Sequence, residues 1–581
     1  MELNAAQPPV PLQASPRFRR PNALALRDGL LAVANQNSGT VSIVAVRPGI
    51  VKAEYPMGTE LVDLATAGAA GNRLLVLCRR PPQLVLADWD RKGRVRPVAR
   101  LPLPSDPARL ARHDGRIAVT CRFSHQVVLL RQTADRLIEP RHVELPFPPG
   151  EVLFDATGEQ LVAAHAFGGR MALLNWHSAR VDAVRSFEGH HIGGLALDHQ
   201  QRTLLLTHQV LQPNVRTLPE RIFWGTLMGN FLRGISWDEL DSLPRGHGDS
   251  SSGPHGGGVP IAHWYQIPLG EAGHGAGDPS AIVVGKGGRT AICLSGVDEV
   301  VLRRDATSPF RRVAVGRCPV DLALSPDGQT LFVANRFDDS ISVVSTASNR
   351  VLRTMALGSM PRPGPVQRGE SLFYDARLSH DGWFSCHSCH VDGHTCGRLN
   401  DNLGDGSYGA PKLIPTLLGV GDTPPWSWLG RRPSLVDQCL RSIATTMRGS
   451  AEAATRQHAA DLAAYLRTLP PAPGLPHHKP HGEATAAERS GARLFARSGC
   501  ADCHPPPTYS SAESYDMGRA DAVGNRRFNP PSLRGIGQRE RFWHDGRART
   551  LTDAMRQHER VLARPLSIEQ HKQLAEWLRT K

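Results

Sequence analysis

The chain lacks any long hydrophobic run, because nowhere in its 581 residues do eighteen or more apolar residues follow one another. This absence argues against a transmembrane helix. Aromatic residues make up only 6% of the chain, and the basic residues neither cluster in a Lys/Arg block nor alternate with aromatics. We therefore expect no nucleic-acid partner. The remaining composition, 40% apolar and 21% charged, is typical of globular proteins, and the length allows more than two domains.

The chain has a basic charge balance, +14 from 68 basic and 54 acidic residues. The basic residues are scattered, so the interpretation we favour is a solvated basic surface. The alternative is steering towards an acidic protein partner or an anionic lipid surface.

A pattern of apolar strands and polar turns recurs along the first 360 or so residues. The clearest copy covers residues 320–335 and is followed by a further strand at 340–345. Equivalent positions in the second strand of each copy are Ala34, Leu77, Thr120, Ala164, Thr207, Leu294 and Ala334, at intervals of 43, 43, 44, 43, 87 and 40 residues. A period in the forties is typical of β-propeller blades, so residues 20–358 are predicted to form an all-β seven-bladed propeller after an N-terminal extension, 1–19. The copy at 320–335 resembles the YVTN-type propeller repeat, a resemblance that implies a fold and a protein-contact surface but no chemistry.

The long interval holds an insertion, at about residues 212–276. Its first part, 222–232, is apolar enough to predict a buried helix, and its second, 246–258, is rich enough in glycine and serine to predict a flexible loop. Insertions of this length are usually functional or disordered, and we expect this one to contact the C-terminal domain.

Four consecutive copies end their second strand with a metal-ligand residue type: Cys78, Cys121, His165 and His208. A copper or zinc site is one hypothesis. The alternative, which we favour, is that these strand ends lie too far apart to share a metal ion.

Two Cys-x-x-Cys-His segments lie in the C-terminal third: Cys386, Cys389 and His390, then Cys500, Cys503 and His504. In such a segment two thiols attach to the porphyrin and the adjacent histidine supplies the proximal iron ligand. Zinc would need further Cys or His pairs at finger spacing, and none follow. The sequence therefore predicts two covalently bound haem c groups.

The two segments belong to an internal repeat. Leu372-Phe373 precedes the first motif as Leu494-Phe495 precedes the second, and each copy ends in an amphipathic helix that contains Tyr465 or Trp577. We predict a multidomain chain in which the propeller is followed by a mainly α-helical di-haem domain of two class I-like cytochrome c units. The first unit is predicted at 359–470 and the second at 483–581, with the Pro/His-rich linker 471–482 between them.

Covalent haem attachment takes place outside the cytoplasmic membrane, so we expect a periplasmic or otherwise exported protein. No secretory signal peptide is visible in the first residues, which lack a basic region and an apolar core. The six cysteines outside the haem motifs could form disulfides in an oxidising compartment, with a connectivity that the sequence leaves open.

From about Gly369 to the C-terminus the chain resembles the bacterial di-haem cytochrome c peroxidase and MauG superfamily. The resemblance rests on Leu-Phe-Tyr-Asp-Ala-Arg-Leu-Ser, Ser-Cys-x-x-Cys-His, Pro-Ser-Leu-Arg and His-Asp-Gly-Arg. Members include peroxidases, protein-modifying oxidases and electron carriers. The family pattern implies His558 as the distal iron ligand of the second unit.

The same resemblance implies an altered first site. Asp405 stands in the turn where peroxidases have a ligating histidine, and His394 and Met447 are the nearby alternatives, of which His394 is too close to His390 to be favoured. If Met447 does not bind, the first iron is open to peroxide.

Two further residues match functional positions of the family. Trp428 stands at the position of its inter-haem tryptophan, and Gln438 stands at that of its distal-pocket glutamine. No carboxylate occurs at 446–448, where peroxidases have a catalytic glutamate, and Leu413 stands at the calcium-site asparagine. Both departures weaken the expectation of peroxidase activity.

Two hypotheses about function follow. The first is a peroxidase/MauG-type oxidoreductase that reacts with peroxide at the first haem and passes electrons through the second. The second is an electron-transfer cytochrome whose propeller binds its partner. In either case we expect a redox protein partner, either a small cytochrome or cupredoxin or a dehydrogenase. A homodimer is left open.

Overall fold

The computed structural model describes residues 16–68, 71–242, 259–261, 263–475, 484–558 and 565–581. These residues form two compact units. The described residues within 16–209, 230–269 and 276–362 form the propeller unit, and those within 210–229, 270–275 and 363–581 form the helical unit. Among the described residues, no helix combines the length and apolar character that crossing a membrane requires.

The propeller unit contains seven antiparallel four-stranded sheets, which confirms the predicted number of blades. In chain order the strands of blades one to seven are Pro21–Arg27, Leu30–Asn35, Thr40–Ala45 and Ile50–Pro56; Thr59–Ala67, Arg73–Arg80, Gln83–Trp89 and Val95–Pro102; Pro107–His113, Arg116–Cys121, Gln126–Gln132 and Leu137–Glu144; Pro149–Phe154, Gln160–His165, Arg170–Asn175 and Arg180–Ser186; His190–Asp198, Thr203–Leu211, Met228–Ser236 and Trp264–Pro268; Pro279–Val284, Thr290–Leu294, Glu299–Arg303 and Arg311–Ala314; and Pro319–Leu324, Thr330–Asn335, Ser340–Ser345 and Arg350–Ala356. A short strand, Val259–Pro260, adds to the edge of blade four.

The second and third strands of the blades are almost wholly buried, and their apolar side chains pack between neighbouring sheets. One such cluster joins blades one and two, and another joins blade seven to blade one, so the ring is closed. Polar contacts reinforce the closure: the backbone N–H of Leu24 donates to Asp321 Oδ2 at 2.7 Å, and that of Arg19 donates to Asp339 Oδ2 at 2.7 Å.

The predicted helix at 222–232 is wrong. Only Pro219–Phe223 is helical, and Met228–Ser236 is the third strand of blade five, paired with Trp264–Pro268. This strand is buried on both faces, so its sequence lacks the strict alternation of apolar and polar residues that distinguishes a strand from a buried helix. The expected insertion of 212–276 is therefore two separate insertions on either side of this strand. The loop predicted at 246–258 lies outside the described residues.

The helical unit contains the two predicted copies as a structural repeat. Its α-helices are Pro219–Phe223, Pro365–Phe373, Cys386–Cys389, Leu435–Arg441, Arg456–Leu466, Ala486–Arg497, Cys500–Cys503, Leu551–His558 and Ile568–Arg579. Two-residue strands pair as Leu399–Asn400 with Lys412–Leu413 and as Tyr515–Asp516 with Arg527–Phe528. A helix within the propeller unit covers Trp237–Ser242.

In each copy the first helix crosses the last at a glycine. A Cβ on Gly369 would lie 1.9 Å from the Asp461 carbonyl oxygen, and one on Gly491 would lie 2.3 Å from that of Gln573. Side chains as large as a methyl group are therefore excluded at both crossings. Beside each crossing an aromatic pair packs: Phe373 with Tyr465 at 5.5 Å between ring centroids, and Phe495 with Trp577 at 4.8 Å.

Candidate haem sites

The first Cys-x-x-Cys-His segment folds as one helical turn, Cys386–Cys389, capped by the Ser385 side chain, which accepts the Ser388 N–H. His390 follows at the end of the turn, and its Nδ1 lies 2.9 Å from the Pro415 carbonyl oxygen. With Nδ1 donating, Nε2 is the ring nitrogen with a free lone pair. Burial lowers the pKa of His390 to about 4, so the imidazole is neutral and able to bind iron at neutral pH.

The second segment repeats this arrangement with a different acceptor. Cys500–Cys503 forms the turn, and Nδ1 of His504 lies 3.0 Å from the Tyr509 carbonyl oxygen. Burial lowers the pKa of His504 to about 4 as well.

Each segment lines its own cavity. The first cavity, about 310 Å³, is bounded by Cys386, Cys389 and His390, and the second, about 210 Å³, by Cys500, Cys503 and His504. Leucine, isoleucine and phenylalanine side chains contribute apolar surface to the remaining walls of both cavities, beside several polar and charged side chains. Two thiols, one neutral imidazole and apolar walls at each cavity are the chemistry that haem c requires, so the residues present fit the group.

The second cavity contains the predicted distal residue, His558, at the end of helix Leu551–His558. Its Nδ1 lies 2.7 Å from the Ala554 carbonyl oxygen, and its ring packs against Trp543 at 4.6 Å between centroids. Burial lowers the pKa of His558, which favours the neutral ring. As with His390, the Nδ1 contact leaves Nε2 as the nitrogen that can bind a metal ion.

The corresponding residue of the first cavity is Ser442, which directly follows helix Leu435–Arg441 and begins a π-helical turn, Ser442–Thr446. Its hydroxyl accepts a hydrogen bond from Gln438 Nε2 at 3.2 Å, and both side chains line the cavity. Met447 also lines this cavity and is 4% exposed. The first cavity therefore holds a hydroxyl at the position where the second holds an imidazole.

The other two candidate ligands of the first site, Asp405 and His394, already contact other groups of the protein. Asp405 lines the cavity but lies 3.4 Å from the ammonium of Lys412, which also lies 2.9 Å from Asp521. Burial raises the pKa of Asp405, while Lys412 opposes that rise. His394 is buried with Nδ1 3.0 Å from Thr416 Oγ1 and Nε2 3.2 Å from the Gln538 carbonyl oxygen, so neither of its nitrogens is available to iron.

Trp428 lines both cavities. Its indole N–H donates to the Leu413 carbonyl oxygen at 2.7 Å, and the Leu413 N–H donates to the His544 carbonyl oxygen at 2.6 Å. The Trp428 and His544 rings meet edge to face at 6.4 Å between centroids. Trp428 is thus held in one orientation between the two candidate haem sites.

The first insertion of blade five is part of the helical unit. Tyr408 Oη and Arg448 Nε both donate to the Thr217 carbonyl oxygen, at 3.0 and 2.8 Å. Arg448 also donates to Tyr408 Oη at 2.6 Å. Arg448 is the last residue of the 446–448 segment that lacks the family's glutamate, and this segment contributes Thr446 and Met447 to the first cavity.

The blade residues Cys78, Cys121, His165 and His208 do not come together. Among the described residues, none of them belongs to a cluster of three ligand atoms within 4.8 Å. His165 Nδ1 instead accepts the backbone N–H groups of Phe167 and Gly168.

Three features escaped prediction from the sequence. The equivalence of Ser442 and His558 was available from the internal repeat, since each follows a matched leucine at the same spacing. The Tyr408–Arg448–Thr217 network and the arginine Arg539, which lines both cavities, depend on tertiary contacts and left no signal in the sequence.

Fold and sites together define a propeller fused to a helical unit with two Cys-x-x-Cys-His cavities. Residues 364–472 match the family model described as di-haem cytochrome c peroxidase. The chain therefore contains, after its propeller, a domain of the di-haem cytochrome c peroxidase/MauG family, as the sequence motifs predicted, and that family has haem c as cofactor.

Three curated proteins are similar to this chain. Cytochrome c551 peroxidase of Nitrosomonas europaea is 25% identical over 283 residues, covering 40% of this chain and 84% of that protein. Hydrazine synthase subunit gamma of Kuenenia stuttgartiensis is 27% identical over 245 residues, covering 33% and 68%. Methylamine utilization protein MauG of Methylorubrum extorquens is 27% identical over 236 residues, covering 32% and 67%.

Proposed function

We propose that the protein is a di-haem c-type oxidoreductase with unequal sites: the first haem reacts with peroxide and the second transfers electrons. Cys386, Cys389 and His390 would hold the first haem, and Cys500, Cys503, His504 and His558 the second. Haem supplies a one-electron redox couple and, where an axial position is free, a place for peroxide to bind.

The observation that supports unequal sites is the contrast between Ser442 and His558. Neutral imidazole is a strong iron ligand, whereas a serine hydroxyl is not. The same position of the repeat would therefore supply an axial ligand to the second iron and leave an axial position of the first iron free. A haem iron with both axial positions occupied by protein ligands is suited to electron transfer, and one with a free axial position is suited to reaction with a small molecule.

Other residues of the chain define what the first site can do. Gln438 and Ser442 present polar groups to its cavity, while no carboxylate is present at 446–448 to move a proton. Loss of a general acid–base group typically costs about 10²–10⁴-fold in rate. We therefore expect weak peroxidase turnover compared with family members that have the glutamate.

Trp428 has the role of inter-haem relay in this proposal. It lines both cavities and its indole is fixed by the Leu413 carbonyl. An aromatic side chain held between two redox sites shortens the gaps across which an electron must pass.

The test is one spectroscopic comparison of the purified full chain. Ferric protein should contain two haems per chain and give one high-spin and one low-spin electron paramagnetic resonance signal, and peroxide should perturb only the former. Cys386→Ala and Cys500→Ala should each remove covalent haem staining from one site. Two low-spin signals, or a protein without haem, would contradict the proposal.

A second candidate function rests on Met447, which is buried and lines the first cavity. If its thioether binds the first iron, both haems are closed and the protein is an electron-transfer cytochrome without peroxidase activity. The two low-spin signals named above are the result that this candidate predicts.

Both candidate functions require a redox partner protein and an oxidising compartment. We propose a periplasmic protein that exchanges electrons with a small cytochrome, a cupredoxin or a dehydrogenase. If the basic charge balance steers this association, the partner is acidic. Association rates that fall steeply with added salt would support such a partner.

A further inference from the structure

Arg539 has a position that the proposed electron route does not explain. It follows a short 3-10 turn, Ile536–Gln538, and its side chain lines both the first and the second cavity. One terminal nitrogen donates to the carbonyl oxygens of Ser532 and Arg534, at 2.7 and 3.3 Å. Its Nε is buried without a hydrogen-bond partner.

The guanidinium of Arg539 has no counter-charge among the described residues. Among the residues that the structure describes, no carboxylate lies within ion-pair distance of it, and burial alone lowers its pKa, to about 10. At neutral pH the group is still charged. Burying an unpaired charge is costly, so a charged side chain in such surroundings normally has an anionic partner.

Neighbouring arginines show the usual arrangement. Arg534 lies 3.0 Å from Asp422, and Arg547 pairs with Asp545. Arg539 differs from both in facing two cavities instead of a carboxylate of the chain. An anion that belongs to the occupant of the cavities is the partner that its position favours.

We propose that Arg539 binds the propionate carboxylates of both haems and so forms a shared anionic contact between the two sites. This inference rests on the proposed function, in which each cavity holds a haem. A haem has two propionates, and the planar guanidinium has donors enough for two carboxylates, one on each side. The free Nε and the second terminal nitrogen are the donors available for this contact.

The contact has a consequence for the redox properties. A fixed positive charge at the wall of both cavities would stabilise the reduced, less positive state of each bound haem. Arg539 therefore raises the midpoint potentials of both haems together, and it acts as a positioning residue, not as a catalytic one.

The experiment compares full-length wild type, R539Q, R539K and the control R534Q, which removes a nearby arginine that already has its own carboxylate. Spectroelectrochemical titration should show both midpoint potentials lowered in R539Q, with two covalent haems per chain and both ligand sets unchanged. R534Q should leave both potentials at the wild-type values. Potentials that do not move in R539Q, or a shift at one haem only, would overturn the shared contact.

R539K serves if R539Q does not fold, because lysine keeps the charge and loses the planar fork. Resonance Raman spectra of R539K should then show shifted propionate bending modes for both haems, and unshifted modes would overturn the inference. Wild-type protein without two haems would instead refute the proposed function, and the haem-to-protein ratio distinguishes this from failure of the Arg539 contact.

Discussion

Ser442 and His558 occupy the same position of the two repeats and line the cavities of different Cys-x-x-Cys-His segments. The helices that lead to them begin at matched leucines, Leu435 and Leu551. One residue has a neutral imidazole with its Nδ1 already donating, and the other has a hydroxyl bonded to Gln438. In the proposed function, this one difference between the two repeats gives the two sites different chemistry.

Exchanging the two residue types should exchange the spin states. We expect His558→Ala to convert the low-spin signal to high spin without changing the first haem. Ser442→His should do the reverse, by placing an imidazole on the first iron and abolishing its reaction with peroxide. Electron paramagnetic resonance of the ferric proteins measures both effects.

Ser442→Ala is the matched control for the second variant, since it removes the hydroxyl without adding a ligand. Its spectrum should stay high-spin at the first site. One outcome would contradict a free axial position at the first iron. In that outcome the first haem of the wild type is low-spin, Ser442→Ala leaves it low-spin, and Met447→Leu converts it to high spin.

Trp428→Phe tests the route between the haems. Phenylalanine keeps an aromatic ring but loses the indole N–H that donates to Leu413, so the ring is smaller and less firmly held. We expect slower electron transfer from the second haem to the first, with unchanged ligand sets and haem content. Stopped-flow reduction followed at the two haem bands measures the step, and Trp426→Phe, which lines only the first cavity, is the control.

The sequence predicted those features that depend on local pattern. Blade number followed from a regular period, because each blade repeats the same turns, and the Cys-x-x-Cys-His segments are complete within five residues. The strand Met228–Ser236 was missed because burial on both faces removes the alternation that marks a strand. Residues such as Arg539 and Tyr408 acquire their roles from partners more than a hundred residues away or from a cavity, which no local pattern records.

Tyr408→Phe tests the network that joins the blade-five insertion to the distal segment of the first site. The variant removes the hydrogen bond to the Thr217 carbonyl and leaves an Arg448 nitrogen without its acceptor. Loss of a partly buried hydrogen bond with an unsatisfied partner costs about 1–3 kcal/mol. Thermal unfolding of the full chain should show the loss, and peroxide reactivity at the neighbouring first haem should also change.

Tyr515→Phe is a useful comparison because its hydroxyl bonds the Asp502 carbonyl at 3.0 Å at an exposed position of the second copy. We expect a smaller loss of stability and unaltered first-site spectra. Equal effects of the two variants would show that the insertion network has no special influence on the first site.

The propeller should lose stability as pH rises through the weakly acidic range. Asp321 and Asp63 line one cavity of the propeller, and burial raises the pKa of Asp321 to about 7 and that of Asp63 to about 6. Repulsion from Asp63 adds to the rise in the pKa of Asp321, and Arg109 opposes the rise at both carboxyl groups. A raised carboxyl pKa means that the folded state binds a proton which the unfolded state has released. Between about pH 4 and pH 7 the free energy of unfolding should therefore fall as pH increases, and it should level off above pH 7.

Asp321→Asn should flatten this dependence, because the amide is neutral at every pH and keeps an oxygen that can accept the Leu24 N–H. Asp327→Asn is the matched control in the same blade. Asp327 is exposed, and hydrogen bonds, first of all from Ser325, lower its pKa. Its contribution to the free energy of unfolding therefore changes with pH only below the ordinary range of carboxyl pKa values. Denaturant unfolding of the full chain, followed by far-ultraviolet circular dichroism from pH 4.5 to 7.5, measures the slopes. A wild-type stability that rises across this interval, or a slope that Asp321→Asn leaves intact, would show that Asp321 is ionised in the folded propeller at all these pH values.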